Sequence, residues 1–282
     1  YLEFNLPFGN GIDLKIGHFY SPVGYEVVTA PDNFFVTKST TFIYDEPFTH
    51  VGILGAYSFT PNWAIKAGAV TGSSSGGWDG SWNRQLGNWA FLGGITWTSD
   101  NAQSSLGVTS TVGYQAERHQ DLWAVYSIVG THNFSDRLHY VIQHDHAFAD
   151  NIVTPYNAVF RNGQAGNVRM YGINQYLLYD VNSKFSVGLR AEWWRDETGV
   201  RIFDQLRCSN GFTGVTSYTC TTGAIPNPGG HFYTATFGLN YKPLKWLILR
   251  PNLRYDYATT NAFNRGQSRD QVLFTADMVV SF

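Results

Sequence analysis

Charge is what this chain lacks most. Of its 282 residues only 14% are Asp, Glu, Lys or Arg, where a soluble globular domain carries about 25%. The charges present sum to −2 with no basic block, which excludes a nucleic-acid partner. Long apolar runs are also missing. "AFLGGITW" (Ala90–Trp97) is among the longest, and a spanning helix needs about 20 apolar residues, so transmembrane helices are excluded. No stretch sustains a helical period. No signal peptide is visible, because Tyr1 already stands in a strand-like run, and the chain reads as a mature or truncated one. Cysteine is scarce. Cys208 and Cys220 lie in one Gly/Thr/Ser/Pro-rich stretch; the preferred reading is a disulfide closing that loop in an oxidising compartment, against idle thiols or half a metal site in a reducing one.

Aromatic residues are abundant instead, at 16% with 17 Tyr, 20 Phe and 9 Trp, and Gly numbers 29. They stand in an alternating pattern. "WLILRPNLRYDY" (Trp246–Tyr257) sets Leu247, Leu249, Leu253, Tyr255 and Tyr257 against Ile248, Arg250, Asn252, Arg254 and Asp256. "FSVGLRAEWW" (Phe185–Trp194) and "FYTATFGLNYK" (Phe232–Lys242) do the same. A period of two marks strands with one apolar face, so the chain is all-β. Thirteen strands are expected, at 1–6, 12–20, 49–59, 63–72, 87–98, 104–116, 121–133, 138–149, 167–181, 185–197, 231–242, 246–258 and 270–282. The strand at 167–181 has no cleanly apolar face. Connections alternate between short ("TPN", "SDR", "NSK", "PLK") and long (21–48, 73–86, 150–166, 198–230, 259–269), with 117–120 the weakest of the long set. Such alternation describes strands running up and down, with tight turns at one end.

A soluble β-sandwich also alternates, but its outer faces would need more Lys and Glu than this chain has. A transmembrane antiparallel barrel inverts the arrangement, with lipid outside and water inside. The strand lengths fit about 9–11 residues per crossing, and Tyr57, Trp63, Trp97, Tyr241 and Trp246 fall at the short-turn ends, where an interfacial belt belongs. The expectation is one domain, 1–282, integral to a bacterial outer membrane, with short turns periplasmic and long loops extracellular. Phe282, after an alternating strand, suits a terminal insertion signal. Pro251 is the misfit, since proline removes a ladder hydrogen bond, and a bulge or a water is expected there. Parity adds a further expectation. Barrels of this kind have an even strand number, so thirteen strands imply a 14-stranded barrel with one strand upstream.

The blocks "KIGHFYSPVGYEVV", "NFFVTKSTTFIYDEPFTHVG", "YGINQYLLYD", "EWWRDETGVRI" and "RPNLRYDY" resemble the putative beta-barrel porin-2 family, also described as OmpL-like, in the family's order from Lys15 to Phe282. The resemblance implies a porin passing small hydrophilic solutes or ions by passive diffusion, without catalytic motif or cofactor, and with a strand upstream of the "YLEF" segment. Porins of this general kind are often trimeric, although no interface patch is readable. The loops 150–166 and 198–230 depart from the family pattern. The competing classes are a barrel that serves as scaffold for an enzyme or adhesin, and a soluble β-protein.

Alternation assigns Lys15, Lys66, Arg190, Arg250 and Arg254 to the wet face together with Asp13, Asp145, Glu192, Asp256 and Asp277. A balanced set predicts a transverse field with weak selectivity, and Arg190 with Glu192 and Arg254 with Asp256 are spaced to pair. The 28-residue segment Ser21–Phe48 carries Glu26, Asp32, Asp45 and Glu46 against Lys38, and six aromatic rings. Loops this long are usually functional; this one is expected to fold into the barrel and narrow it, the other reading being an extracellular cap. "HYVIQHDHAF" puts His144 and His146 on one face, as metal ligands would be, with His139 and Asp145 nearby. That face is the apolar one, so histidines at the membrane interface are the better reading.

Overall fold

A computed structural model describes residues 1–71, 89–114, 122–152, 166–199, 202, 229–264 and 267–281. It contains thirteen strands: β1 (Leu2–Leu6), β2 (Ile12–Tyr20), β3 (Thr49–Ser58), β4 (Trp63–Thr71), β5 (Trp89–Thr98), β6 (Ser104–Tyr114), β7 (Leu122–Asn133), β8 (Leu138–Ile152), β9 (Gly166–Asn182), β10 (Phe185–Asp196), β11 (Gly230–Leu244), β12 (Leu247–Ala258) and β13 (Asp270–Val280). They form one sheet in sequence order, each strand antiparallel to the next. Among the described residues no ladder joins β1 to β13. The segment between β2 and β3 carries a one-turn 3-10 helix at Ala30–Asp32 and a short α-helix, α1 (Thr40–Tyr44); Ser39 caps α1 by accepting from Phe42 N–H at 3.2 Å.

The two faces invert the arrangement of a soluble domain. Ile53, Phe91, Leu106, Leu189, Phe237, Leu253 and Phe274 are all exposed, whereas Gln143, Asp145, Asn174, Arg190, Arg250 and Asn252 are at most 2% exposed. Alternation explains how one strand supplies both sets. Leu253 and Arg254 are neighbours whose side chains leave opposite sides of the pleat.

The sheet must curl, and the segment after β2 proves it. Arg250 on β12 donates to the carbonyls of Ala30 and Asn33 at 2.9 and 2.6 Å. In a flat sheet β2 and β12 would stand roughly 48 Å apart at the usual strand spacing. The ten residues from Tyr20 to Ala30 span about 36 Å at most, too little even with an arginine's reach. The polar face is therefore the concave one.

β9, the strand without a clean apolar face, is the longest at 17 residues. Its concave residues Met170, Asn174 and Tyr176 are buried against protein instead of water, so they need not be uniformly polar. The bulge expected at Pro251 does not occur there. Pro251 pairs with Ala276 in unbroken register, and toward β11 the ladder skips the positions opposite Pro251 and Arg250 and resumes in the same register at Tyr241–Leu249. The proline costs ladder contacts without shifting the strands; the register shift falls further along, between Tyr241 and Leu244. The disulfide expected between Cys208 and Cys220 falls outside the described residues, as do most of loops 150–166 and 198–230.

Candidate functional site

The concave face is occupied on one side by the segment 21–48. Small residues open the space for it. A Cβ added to Gly188 on β10 would come within 2.5 Å of Phe34, and one added to Gly238 on β11 within 2.9 Å of Phe35. Phe35 packs with Val141 and Tyr176, and Tyr44 stacks on Trp194 with ring centroids 5.0 Å apart. The aromatic load of the segment, surplus in a solvated loop, is used to bury it against β8 to β11.

Arg190 is the centre of the polar contacts. Its Nε donates to Glu192 and its Nη1 to Glu26, both at 2.6 Å, and Nη1 also reaches Thr37 O at 2.7 Å. The guanidinium lies over the Phe35 ring at 5.1 Å. Glu192 turns its second oxygen to the Thr40 N–H at 2.6 Å, at the start of α1. Arg190 and Glu192 thus hold each other and the segment together. Both are buried, at 0% and 5% exposure, so removing one partner of this pair costs roughly 3–5 kcal/mol through the charge left behind. On β12, Arg254 pairs with Asp256 at 2.7 Å and donates to Lys38 O at 2.8 Å, while Arg250 pairs with Asp277 of β13 at 2.5 Å.

The ten wet-face charges therefore divide. Arg190, Glu192, Arg250, Asp277, Arg254 and Asp256 are paired, and their arginines bind the segment's backbone. Asp145 is buried and accepts from Gln143 at 2.6 Å. Asp13, Lys15 and Lys66 stand away from the segment: Asp13 takes a bond from Asn5 at 2.8 Å, Lys15 is 3.6 Å from Glu3, and Lys66 makes no ion pair among the described residues.

Within the segment, Glu26 meets a base, Arg190. Asp45 and Glu46 instead take neutral donors, Trp194 Nε1–H at 2.8 Å and Gln143 Nε2–H at 2.7 Å. Asp32 is exposed and accepts from Thr29 at 2.5 Å. Lys38 donates to Val27 O and sits 4.8 Å from the centre of the Phe42 ring; burial lowers its pKa.

Charge counting missed the neutral anchors. Gln143 accepts from Tyr25 N–H at 3.1 Å, Asn252 from Val36 N–H at 2.6 Å, and Asn174 donates to Thr41 at 2.5 Å. Alternation had placed Asn252 on the wet face with Arg250 and Arg254, and an amide there is as good a partner for loop backbone as a charge. Next to Arg254 and α1 lies a cavity of about 390 Å³ bordered by Thr40, Tyr44, Thr234, Asp256, Phe263 and Gln271.

His144 and His146 lie on the convex face, whereas His139 stands on the other side of β8, 2.7 Å from Asn133 Oδ1 and 3.4 Å from Asp180. His146 packs edge-on against Tyr126 and Tyr171 at 5.5 and 5.6 Å, and His144 Nδ1 is 3.0 Å from Gly172 O. Trp193, Tyr233 and Tyr257 continue this row in register. It is an aromatic girdle at the long-loop end; Trp63 opposite Trp97 marks the other end. Among the described residues no three His, Cys, Asp or Glu side chains converge as metal ligands would.

An antiparallel barrel with such girdles and a polar concave face resembles solved outer-membrane channels. The outer membrane channel DcaP of Acinetobacter baumannii superposes with a TM-score of 0.56 at 12% identity, covering 99% of this chain and 83% of that one. OprB of Pseudomonas putida gives 0.62 at 12% identity, with 98% and 71% covered. A refined porin structure gives 0.53 at 11%, with 95% and 77% covered. At such identities the likeness is one of fold. No curated protein matches the chain. The family described as "Putative beta-barrel porin-2, OmpL-like" matches residues 1–282, and the chain belongs to that porin-like family of integral outer-membrane β-barrels.

Proposed function

We propose that this protein is a porin through which small hydrophilic solutes or ions diffuse passively, along a path between the segment 21–48 and the wall formed by β2 to β6. One observation carries the reading. The segment is bound to the concave face on the β8–β12 side by buried pairs centred on Arg190 and Arg254, so it divides the interior unequally. A barrel used only as a scaffold has no need of a polar concave face with a chain segment fixed across it. In this reading the long loops are extracellular and the short turns periplasmic, and homotrimers are the assembly to look for by cross-linking.

The test is single-channel recording in planar bilayers with a variant in which residues 27–44 are replaced by a short Gly-Ser linker. Wild type should conduct in discrete steps. The variant should insert equally well and give larger steps. A wild-type barrel that inserts and passes no current, with or without the segment, would defeat the porin reading and favour a scaffold.

A further inference from the structure

The two limbs of the inward segment meet at a neck. Gly24 has φ +87°, and the Glu46 carboxylate occupies the place a Cβ would take there, so the limbs are packed onto each other. Gln143 of β8 pins both limbs. Its Oε1 accepts from Tyr25 N–H at 3.1 Å, and its Nε2 donates to Glu46 Oε1 at 2.7 Å and to Asp145 Oδ2 at 2.6 Å. One amide therefore bridges two carboxylates whose exposures are 1% and 0%. Glu46 Oε2 is enclosed and receives no hydrogen bond among the described residues, while Asp145 has the hydroxyls of Ser127 and Thr41 beside it as well as the Gln143 amide. Asp145 lies within hydrogen-bonding reach of the Glu46 side chain.

Two adjacent buried carboxylates cannot both stay ionised without compensation. The other charged groups around them do not supply it. Glu26 and Asp45 of the same segment add negative charge near Glu46. Arg190 of β10 is spent on Glu26 and Glu192. Lys38 donates within the segment, and His50 of β3 contacts Ser21 at 3.0 Å. Ser127 of β7 and Thr41 of α1 bring hydroxyls to Asp145 and Asn174 of β9 brings an amide, none of them charged. A metal ion fits poorly, because the Gln143 amide protons are directed at both carboxylates, and among the described residues no third ligand-type side chain converges with them. A proton fits: one carboxyl O–H can donate to the other carboxylate, which stands within hydrogen-bonding reach.

We propose that Glu46 and Asp145 share one proton and form a proton-operated latch that holds the neck of the inward segment on β8, and that losing this proton at raised pH releases the segment. On deprotonation an O–H bond breaks, the proton passes to water, and two like charges face each other across the neck. Burial and the Asp145 charge hold the Glu46 carboxyl well above its ordinary value of 4.5. The latched state then binds one proton more than the released state between that ordinary value and the raised one. Latch stability is greatest below the window and falls about tenfold in equilibrium constant per pH unit within it.

Hydrogen–deuterium exchange of the peptide covering Ser21–Phe48, in detergent-solubilised barrel and corrected for intrinsic rates, reads the latch directly. Wild type should lose protection by about tenfold or more between about pH 5 and about pH 9. Glu46→Gln and Asp145→Asn each remove the second charge and should keep the same protection at both ends. A flat wild-type profile, or a pH response equally large in Glu46→Gln, would overturn the latch. Should Asp145→Asn fail to fold, Glu46→Gln and wild type decide the matter; should both variants fail, the wild-type profile decides alone. The consequence for conductance, step size rising with pH, rests on the porin reading. A conducting barrel with pH-independent exchange loses the latch and keeps the porin, whereas a pH-dependent exchange in a barrel that never conducts does the reverse.

Discussion

Leu253 and Arg254 are adjacent and live in different solvents. Leu253 is 51% exposed on the convex face, while Arg254 is held by Asp256 and Lys38 O. Leu253→Arg should cost about 2–4 kcal/mol, the figure for a base near the bilayer midplane, measured by folding titration into lipid vesicles. Wild-type stability for that variant would place the face away from lipid. Charge reversal on the concave face is better made at Lys66 than at Arg254. Arg254→Glu would confront Asp256 and loosen the segment, so selectivity and structure would change together. Lys66 has no such ties, and Lys66→Glu should shift the reversal potential in a salt gradient toward cations with folding unchanged. An unaltered potential would mean that Lys66 does not line the path.

At the scale of elements, strand and segment were fitted to each other. Residues of β9, β10 and β11 that face inward include Gly172, Gly188 and Gly238, and the last two lie under Phe34 and Phe35. A leucine at Gly238 suits a strand, and what it would meet is Phe35 and Asn252, the ring and the amide that seat the segment. Gly238→Leu should expel Phe35, weaken the contacts centred on Arg190 and enlarge the conductance step. Barrel folding, followed by heat-dependent gel mobility, should be unaffected. Conductance identical to wild type would show that the segment does not limit the path.

For the molecule as a whole, orientation follows from the alternation of turn and loop. Cysteines placed singly at Ser183, in the turn between β9 and β10, and at Gln267, in the loop between β12 and β13, should label oppositely in whole cells. The native Cys208 and Cys220 would be replaced first. Gln267→Cys should react with an impermeant maleimide and Ser183→Cys should not; equal labelling would remove the orientation. Gly199 is a poor place for such a probe, because it has φ +72° and a cysteine there would be strained.

The sequence by itself determined the strands. A period of two is local, set by which side of a pleat each Cβ leaves. It therefore located all thirteen strands to within a few residues, the alternation of short and long connections, and the face on which Arg190, Arg250 and Arg254 stand. It also showed that Ser21–Phe48 had too many rings to float in water. Only the tertiary structure decided what those groups do. Whether a lumenal charge is free, paired or buried depends on what lies opposite it, and the chain brings Glu26 to Arg190 and Glu46 to Gln143 across 164 and 97 residues. No periodicity encodes such a meeting. The balanced set of ten charges, five of each sign on paper, became six that fix a segment, one carboxylate sealed with another, and three left on the opposite wall. The physical reason is the curl of the sheet, which turns residues on one face of separate strands into neighbours around a shared interior.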